Sequence, residues 1–185
     1  QMDPCLSVFS DNAGVVRFNP SWSVCFKVET HNSPSALDPY GGAITGIVGV
    51  NLDPLGTGKG SLLVTNMYGF CFADPYFEGP LPTRDSAGQV PVLHPKVIFE
   101  GVRKGVEDGG NKSGIPTPLG FITFDDRYMG KPLVFVGTLG LMPASIEGVP
   151  THEKQARPGD YIVMAGGRVG KDGIHGATFS SESLH

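Results

Sequence analysis

The chain has 185 residues, a net charge of −4 and no run of Lys or Arg, which argues against binding nucleic acid or anionic membranes through bulk electrostatics. That length can bury a real core, as one domain or as a domain with part of another. No apolar stretch approaches the roughly 20 residues that span a bilayer. Cys5, Cys25 and Cys71 are odd in number and lack metal-type spacing, so structural thiols in a reduced, cytoplasmic setting are expected. The 27 glycines and 16 prolines lie between patterned apolar runs, a composition of turns and close packing rather than of disorder.

In chain order, Leu6–Phe9 and Val15–Phe18 flank the turn-like Asp11–Gly14, a hairpin pattern. From Val24 to His31 the residues alternate as a strand. Val24, Phe26 and Val28 share one face, expected to pack, and Lys27, Glu29 and His31 share the other. The polar set converges on Asn32, Ser33 and Pro34, where a turn is favoured. From the pattern alone this is either an edge strand with a solvated polar face or a strand that delivers titratable groups to a site. Asp38-Pro39 then suits an N-cap and first helical turn. The glycines at 41, 42, 46 and 49, each about 1 kcal/mol less helical than Ala, imply a helix in very close contact with sheet or ligand, or a partly irregular segment.

Gly56–Gly60, G-T-G-K-G, lacks the phosphate-loop pattern and is expected to be a mobile loop. Ser61–Ala73 reads as a strand, followed by a Pro-rich loop. His94-Pro95 opens a helix to Asp108, with Ile98, Val102 and Val106 at i, i+4, i+8 and Gly109-Gly110 as the stop. Gly101 and Gly105 on an adjoining stripe predict that another backbone crosses there. Strands at Leu119–Phe124 and Leu133–Leu141, joined by D-D-R-Y-M-G-K, read as a hairpin, with Asp125 and Asp126 as turn acids rather than a metal pair. Arg157–Asp160 reads as a turn and Tyr161–Ala165 as a short buried strand. The glycines from 166 to 176, with Arg168, Lys171 and His175, would suit an anion held by backbone N–H groups before a helix. The order of elements predicts an α+β fold with one mostly antiparallel sheet of four strands.

Three blocks carry a resemblance. Phe26 to Gly58, F-K-V-E-T-H-N-S-P-S-A-L-D-P-Y-G-G-A-I-T-G-I-V-G-V-N-L-D-P-L-G-T-G, resembles the signature of the phosphoribosylformylglycinamidine synthase family, within the aminoimidazole ribonucleotide synthetase-like superfamily. Gly110 to Thr117, G-N-K-S-G-I-P-T, and Gly166 to Phe179 resemble two further blocks, in the same order. The resemblance implies a half-domain over residues 1–156, with helices on one face of its sheet, that closes a β-barrel with a second copy and binds ATP near that interface. Residues 157–185 would begin the next half-domain, so the chain reads as a piece of a longer enzyme. The implied reaction uses ATP to convert formylglycinamide ribonucleotide and ammonia into the amidine through an iminophosphate, with a glutaminase domain or subunit as the ammonia source.

By the same resemblance Lys27 would contact ATP, Glu29 and Asp53 would hold Mg2+, and His31 would be the catalytic base. Thr30, Asn32 and Ser33 would line the substrate. Lys, carboxylates and His suit phosphate, Mg2+ and proton transfer respectively. The implied partners are a homodimer mate or a second like half-domain, with no nucleic acid and no membrane. Two positions depart from the common family pattern, Ser33 in place of a second His and Leu52 in place of an Arg. A non-catalytic relative that binds nucleotide or dimerises, and a superfamily enzyme with another small substrate, are the alternative readings.

Overall fold

The computed structural model describes residues 4–85 and 87–168. Six strands form the main sheet: β1 (Cys5–Ser7), β2 (Gly14–Arg17), β3 (Trp22–Thr30), β4 (Leu62–Phe72), β5 (Leu119–Phe124) and β6 (Leu133–Pro143). Their spatial order is β1-β2-β3-β6-β4-β5. The expected α+β class holds, but the sheet has six strands instead of four. The N-terminal hairpin supplies the difference, because β2 pairs along β3 from Gly14↔Phe26 to Arg17↔Ser23. It covers backbone groups that would otherwise form an open edge.

A second correction concerns β5 and β6, which are not a hairpin. β6 runs antiparallel between β3 and β4, while β5 pairs parallel with the far side of β4, from Met67↔Leu119 to Phe72↔Phe124. The reason lies in side-chain content. β6 buries Val134, Val136, Thr138 and Met142 and suits a central position, whereas every residue of β5 is exposed, as an edge strand's can be. The link between them holds a single 3-10 turn at Asp126–Tyr128, capped by the Asp125 side chain. Asp125 also takes two hydrogen bonds from the Arg127 side chain, so the turn-acid reading stands. A two-stranded ribbon that the sequence reading lacked, β7 (Ser145–Ile146) with β8 (Val149–Pro150), follows β6.

Three helices, α1 (Asn32–Leu37), α2 (Pro39–Gly56) and α3 (Pro95–Ser113), cover one face of the sheet. Asp38 caps α2 by accepting from the Gly41 N–H at 3.1 Å, and His94 caps α3 by accepting from Lys96 N–H at 3.2 Å. The crossing backbone anticipated at Gly101 and Gly105 is α2 itself. A Cβ at Gly105 would lie 2.6 Å from the Tyr40 carbonyl oxygen, and one at Gly101 2.6 Å from Pro39 Cβ. α3 also passes its expected stop: Gly109 lies within the helix, where Ile47 of α2 fills the space a Cβ would need. The helix ends at Gly114, whose φ of +69° is left-handed. Ile47, Val50, Phe70, Phe72, Ile98, Val102, Val134 and Val136 form the core between this pair and the sheet, each contributing about 1.5–3 kcal/mol on burial.

The opposite face of the sheet is uncovered, and here the expectation for β3 is reversed. Phe26 and Val28, expected to pack, are each 39 % exposed, while Ser23, Cys25, Lys27 and Glu29 turn toward α2. Alternation had paired the residues correctly and misassigned which face is covered. Val16, Leu62, Leu119 and Phe121 are exposed as well. Tyr161–Ala165 is another correction. Tyr161, Ile162, Val163 and Met164 form no strand and lie almost fully exposed, with no paired backbone to hold them. The turn at Arg157–Asp160 does form, closed by Asp160 N–H to the Arg157 carbonyl at 3.1 Å. The glycine block from 166 onward falls largely outside the described residues, as do Lys171 and His175. Among the described residues no helix is long and apolar enough to cross a membrane.

Candidate functional site

The site lies where the C-terminal end of β3 runs under α2. Lys27 and Glu29 share the covered side of β3, so both reach toward the helix. Lys27 Nζ lies 3.1 Å from Asp53 Oδ2 on α2 and 3.4 Å from Glu29 Oε2. All three side chains are about a third exposed, so the cluster opens to solvent on one side. Partial burial works against the Lys27 ammonium, but the hydrogen bond and charge of Asp53, helped by Glu29, outweigh it and hold its pKa above the ordinary lysine value. Two carboxylates from separate elements therefore converge on one cation.

His31 follows at the strand-to-helix turn. It is 7 % exposed, and its Nδ1 is buried with no hydrogen-bond partner among the described residues. Burial lowers its pKa, against the opposing hydrogen bond to the Gly42 backbone and the charge of Glu29. The imidazole is thus held neutral near pH 7, the form that can take a proton. Its seat depends on glycine, since a Cβ at Gly46 would come within 3.0 Å of His31 Cβ. Gly42 has the same function for α1, where a Cβ would lie 2.5 Å from the backbone of Pro34 and Ser35. The expected close contact of the glycine-rich helix is therefore with this turn.

Two hydrogen bonds from β6 lock the turn. His31 N–H donates to the Val134 carbonyl at 2.8 Å, and Val134 N–H donates to Asn32 Oδ1 at 2.8 Å. The Asn32 side chain so adds one rung to the β3–β6 ladder before the chain bends into α1. Ser33 is wholly buried, whereas Thr30 is exposed at the end of β3. Leu52, next to Asp53, is largely exposed.

The G-T-G-K-G segment is tied down rather than loose. Gly58 N–H donates to Asp11 Oδ2 at 2.9 Å, Lys59 N–H to the Thr151 carbonyl at 2.8 Å, and Lys154 Nζ reaches the Gly56 carbonyl at 2.6 Å. This anchors the C-terminus of α2 just beyond Asp53. The sequence reading also lacked a buried polar trio under α2, Asn51, Asn66 and Thr138. An Asn within the otherwise apolar stripe Ala43, Ile47, Val50, Pro54 was the available signal. Cys25 and Cys71 are buried and Cys5 is exposed. Among the described residues no group of three or more His, Cys, Asp or Glu is placed to hold a metal ion. Glu29 and Asp53 are two hard oxygen ligands, a set that suits Mg2+ when phosphate oxygens and waters complete the shell.

Three helices packed on one face of a mixed six-stranded sheet define the class, an α+β domain. Residues 10–142 match the family described as AIR synthase related protein, N-terminal domain, and the chain belongs to that family. The phosphoribosylformylglycinamidine synthase subunit PurL of Thermoplasma acidophilum is 37 % identical over 182 residues, covering 98 % of this chain and 22 % of its own length. The same subunit of Thermotoga maritima is 38 % identical over 176 residues, covering 95 % and 24 %. The structure of T. maritima PurL complexed with ADP superposes with a TM-score of 0.58 at 29 % identity, over 75 % of this chain and 20 % of that one. T. maritima PurL complexed with FGAR superposes with a TM-score of 0.56 at 29 % identity, over 74 % and 19 %. The chain thus spans about a quarter or less of the relatives it matches.

Proposed function

We propose that this chain is the nucleotide-binding N-terminal half-domain of an ATP-dependent ligase of the phosphoribosylformylglycinamidine synthase type. The full enzyme would convert formylglycinamide ribonucleotide and ammonia to formylglycinamidine ribonucleotide. The observation that carries the reading is the Lys27 ammonium held between Glu29 and Asp53, four residues before His31. The similarity over nearly the whole chain to PurL subunits, and to PurL structures with ATP and with FGAR, supports it.

In this reading Lys27 contacts the ATP phosphates, and Glu29 and Asp53 hold Mg2+, which would neutralise phosphate charge as it shifts in the transfer. His31 acts as the base toward the incoming ammonia, a role its neutral state suits. Thr30, exposed at the end of β3, would meet the substrate directly, and Asn32 and the buried Ser33 would line it from the turn. The ammonia would come from a glutaminase domain or subunit. Residues 1–156 form the half-domain and 157–185 begin the next one.

The uncovered sheet face supports a further part of the proposal. Leu62 and Phe121 are 70 % and 56 % exposed on the same face as Phe26 and Val28, and exposed apolar surface of this kind marks an interface. It would pack against a second like half-domain to close a barrel. The functional test is made in the full-length enzyme supplied with formylglycinamide ribonucleotide, ATP and ammonia. His31→Ala should lower kcat by about 10²–10⁴ while ATP binding persists. Full turnover without His31, or no ADP release from the unaltered enzyme, would overturn the assignment.

A further inference from the structure

Lys27 on β3, Thr138 on β6 and Asn66 on β4 stand side by side in one row across three strands, as Lys27↔Thr138 and Asn66↔Thr138 register partners. From above, Asn51 of α2 reaches into this row. Thr138 Oγ1 lies 2.7 Å from Asn51 Oδ1 and 2.8 Å from Asn66 Oδ1. Asn66 and Thr138 are fully buried and Asn51 nearly so. A hydroxyl has a single proton, so it donates to one amide and accepts from the other once that amide is turned over. Even then one amide NH2 stays unpaired, since neither Nδ2 has another partner among the described residues.

Such a trio is a poor device for stability. Well-packed apolar residues of the same shape are often as stable or more so than a buried polar cluster. What a directional hydrogen bond supplies is register. α2 needs it, because seven and four residues before Asp53 the helix carries only Gly46 and Gly49: a Cβ at Gly46 would meet His31, beyond the end of β3, and one at Gly49 would meet nothing within 4 Å. A glycine surface allows close approach but offers no side chain to interlock with the strand.

We propose that Asn51, Thr138 and Asn66 are positioning residues that set where α2 lies along β3, and so hold Asp53 opposite Lys27 and Glu29. Asn51 is two residues from Asp53 on the helix, and Thr138 is the direct cross-strand neighbour of Lys27. The trio touches neither nucleotide nor metal and acts only through the carboxylates. The inference rests on the proposed role of Glu29 and Asp53 as metal ligands.

The test is Mn2+ binding to the intact protein, followed by electron paramagnetic resonance without nucleotide, in Thr138→Val, Thr138→Ser and Ile47→Val variants. Ile47→Val loosens the same helix through its apolar contact and serves as the stability control. Thr138→Val should weaken Mn2+ binding about 10- to 100-fold, the scale seen when the support of a metal ligand is removed. Thr138→Ser should recover most of it, and Ile47→Val should leave it within about threefold on that scale. With Mg·ATP as substrate, KM should rise more than kcat falls. Undiminished Mn2+ affinity in Thr138→Val, or an equal loss in Ile47→Val, would overturn the inference. Where Thr138→Val does not fold, Thr138→Ala removes the same hydroxyl without adding a methyl group and is judged by the same outcomes. A Mn2+ affinity in the unaltered protein that is indifferent to Asp53→Asn would show instead that the metal-site reading is wrong, and this inference falls with it.

Discussion

The two faces of β3 carry opposite chemistry and opposite cover. The face under α2 holds Ser23, Cys25, Lys27 and Glu29, and leads to the buried His31, while the face with Phe26 and Val28 is open. In most half-covered sheets the apolar face is the one a helix buries. Here the polar face is the covered one, and α2 meets the turn at its end through Gly42 and Gly46. The apolar face is left open. One strand thus divides a polar, helix-covered side from an apolar, open one.

The largest effect that separates the faces should come from paired truncations. Phe70→Ala, on the covered side at 2 % exposure, should cost about 3–5 kcal/mol in denaturant unfolding. Phe121→Ala, exposed on the other side, should change the stability of the dissociated protein by less than about 0.5 kcal/mol. It should instead weaken self-association in sedimentation, and Phe26→Asp should do so more strongly. Equal stability losses at both positions would erase the distinction between the faces.

A smaller effect tests the glycine approach. Gly42→Ala forces a Cβ to within 2.5 Å of the Pro34–Ser35 backbone, and overpacking of this kind costs about 1–3 kcal/mol. The same change at Gly49, where nothing lies within 4 Å, should be neutral or slightly stabilising, since Ala is the better helix former by about 1 kcal/mol. Calorimetric melting of the two variants compares them directly. If Gly42→Ala melts no lower than Gly49→Ala, the close seat of α2 on the turn is not a constraint.

The smallest effect is a pH slope. Burial places the folded-state pKa of His31 below its ordinary value of 6.5, so the unfolded chain takes up that proton first. The stability due to neutral His31 is complete above pH 6.5 and is lost as pH falls through that value toward the folded-state pKa. Urea midpoints between pH 7.5 and about 5 should therefore fall more steeply in the unaltered protein than in His31→Asn. Parallel slopes would contradict the buried, neutral imidazole.

Much of this was legible in local pattern. The alternation from Val24 to His31 grouped Lys27 with Glu29 and His31, and the Asp38-Pro39 cap, the α2 glycines and the Gly101–Gly105 stripe anticipated a close helix crossing. What depends on distant partners was not legible. Nothing within D-D-R-Y-M-G-K tells that β6 inserts between β3 and β4 while β5 turns to the far edge. Period-two alternation separates the faces of β3 but says nothing of which one a helix will cover. The trio of Asn51, Asn66 and Thr138 joins residues on three elements, so no window of sequence contains it. The contact of Asp53 with Lys27 was not legible either: family resemblance implied only that both serve ATP and Mg2+, because the pair spans a strand and a later turn of the helix beyond it.

The most direct measurement is calorimetric titration of the intact protein with Mg·ATP, alongside Lys27→Ala and Asp53→Ala. The account predicts binding in the unaltered protein that weakens at least tenfold in each variant, about 1.4 kcal/mol or more. Absence of binding, or binding indifferent to both substitutions, would contradict the assignment of this cluster to nucleotide and metal.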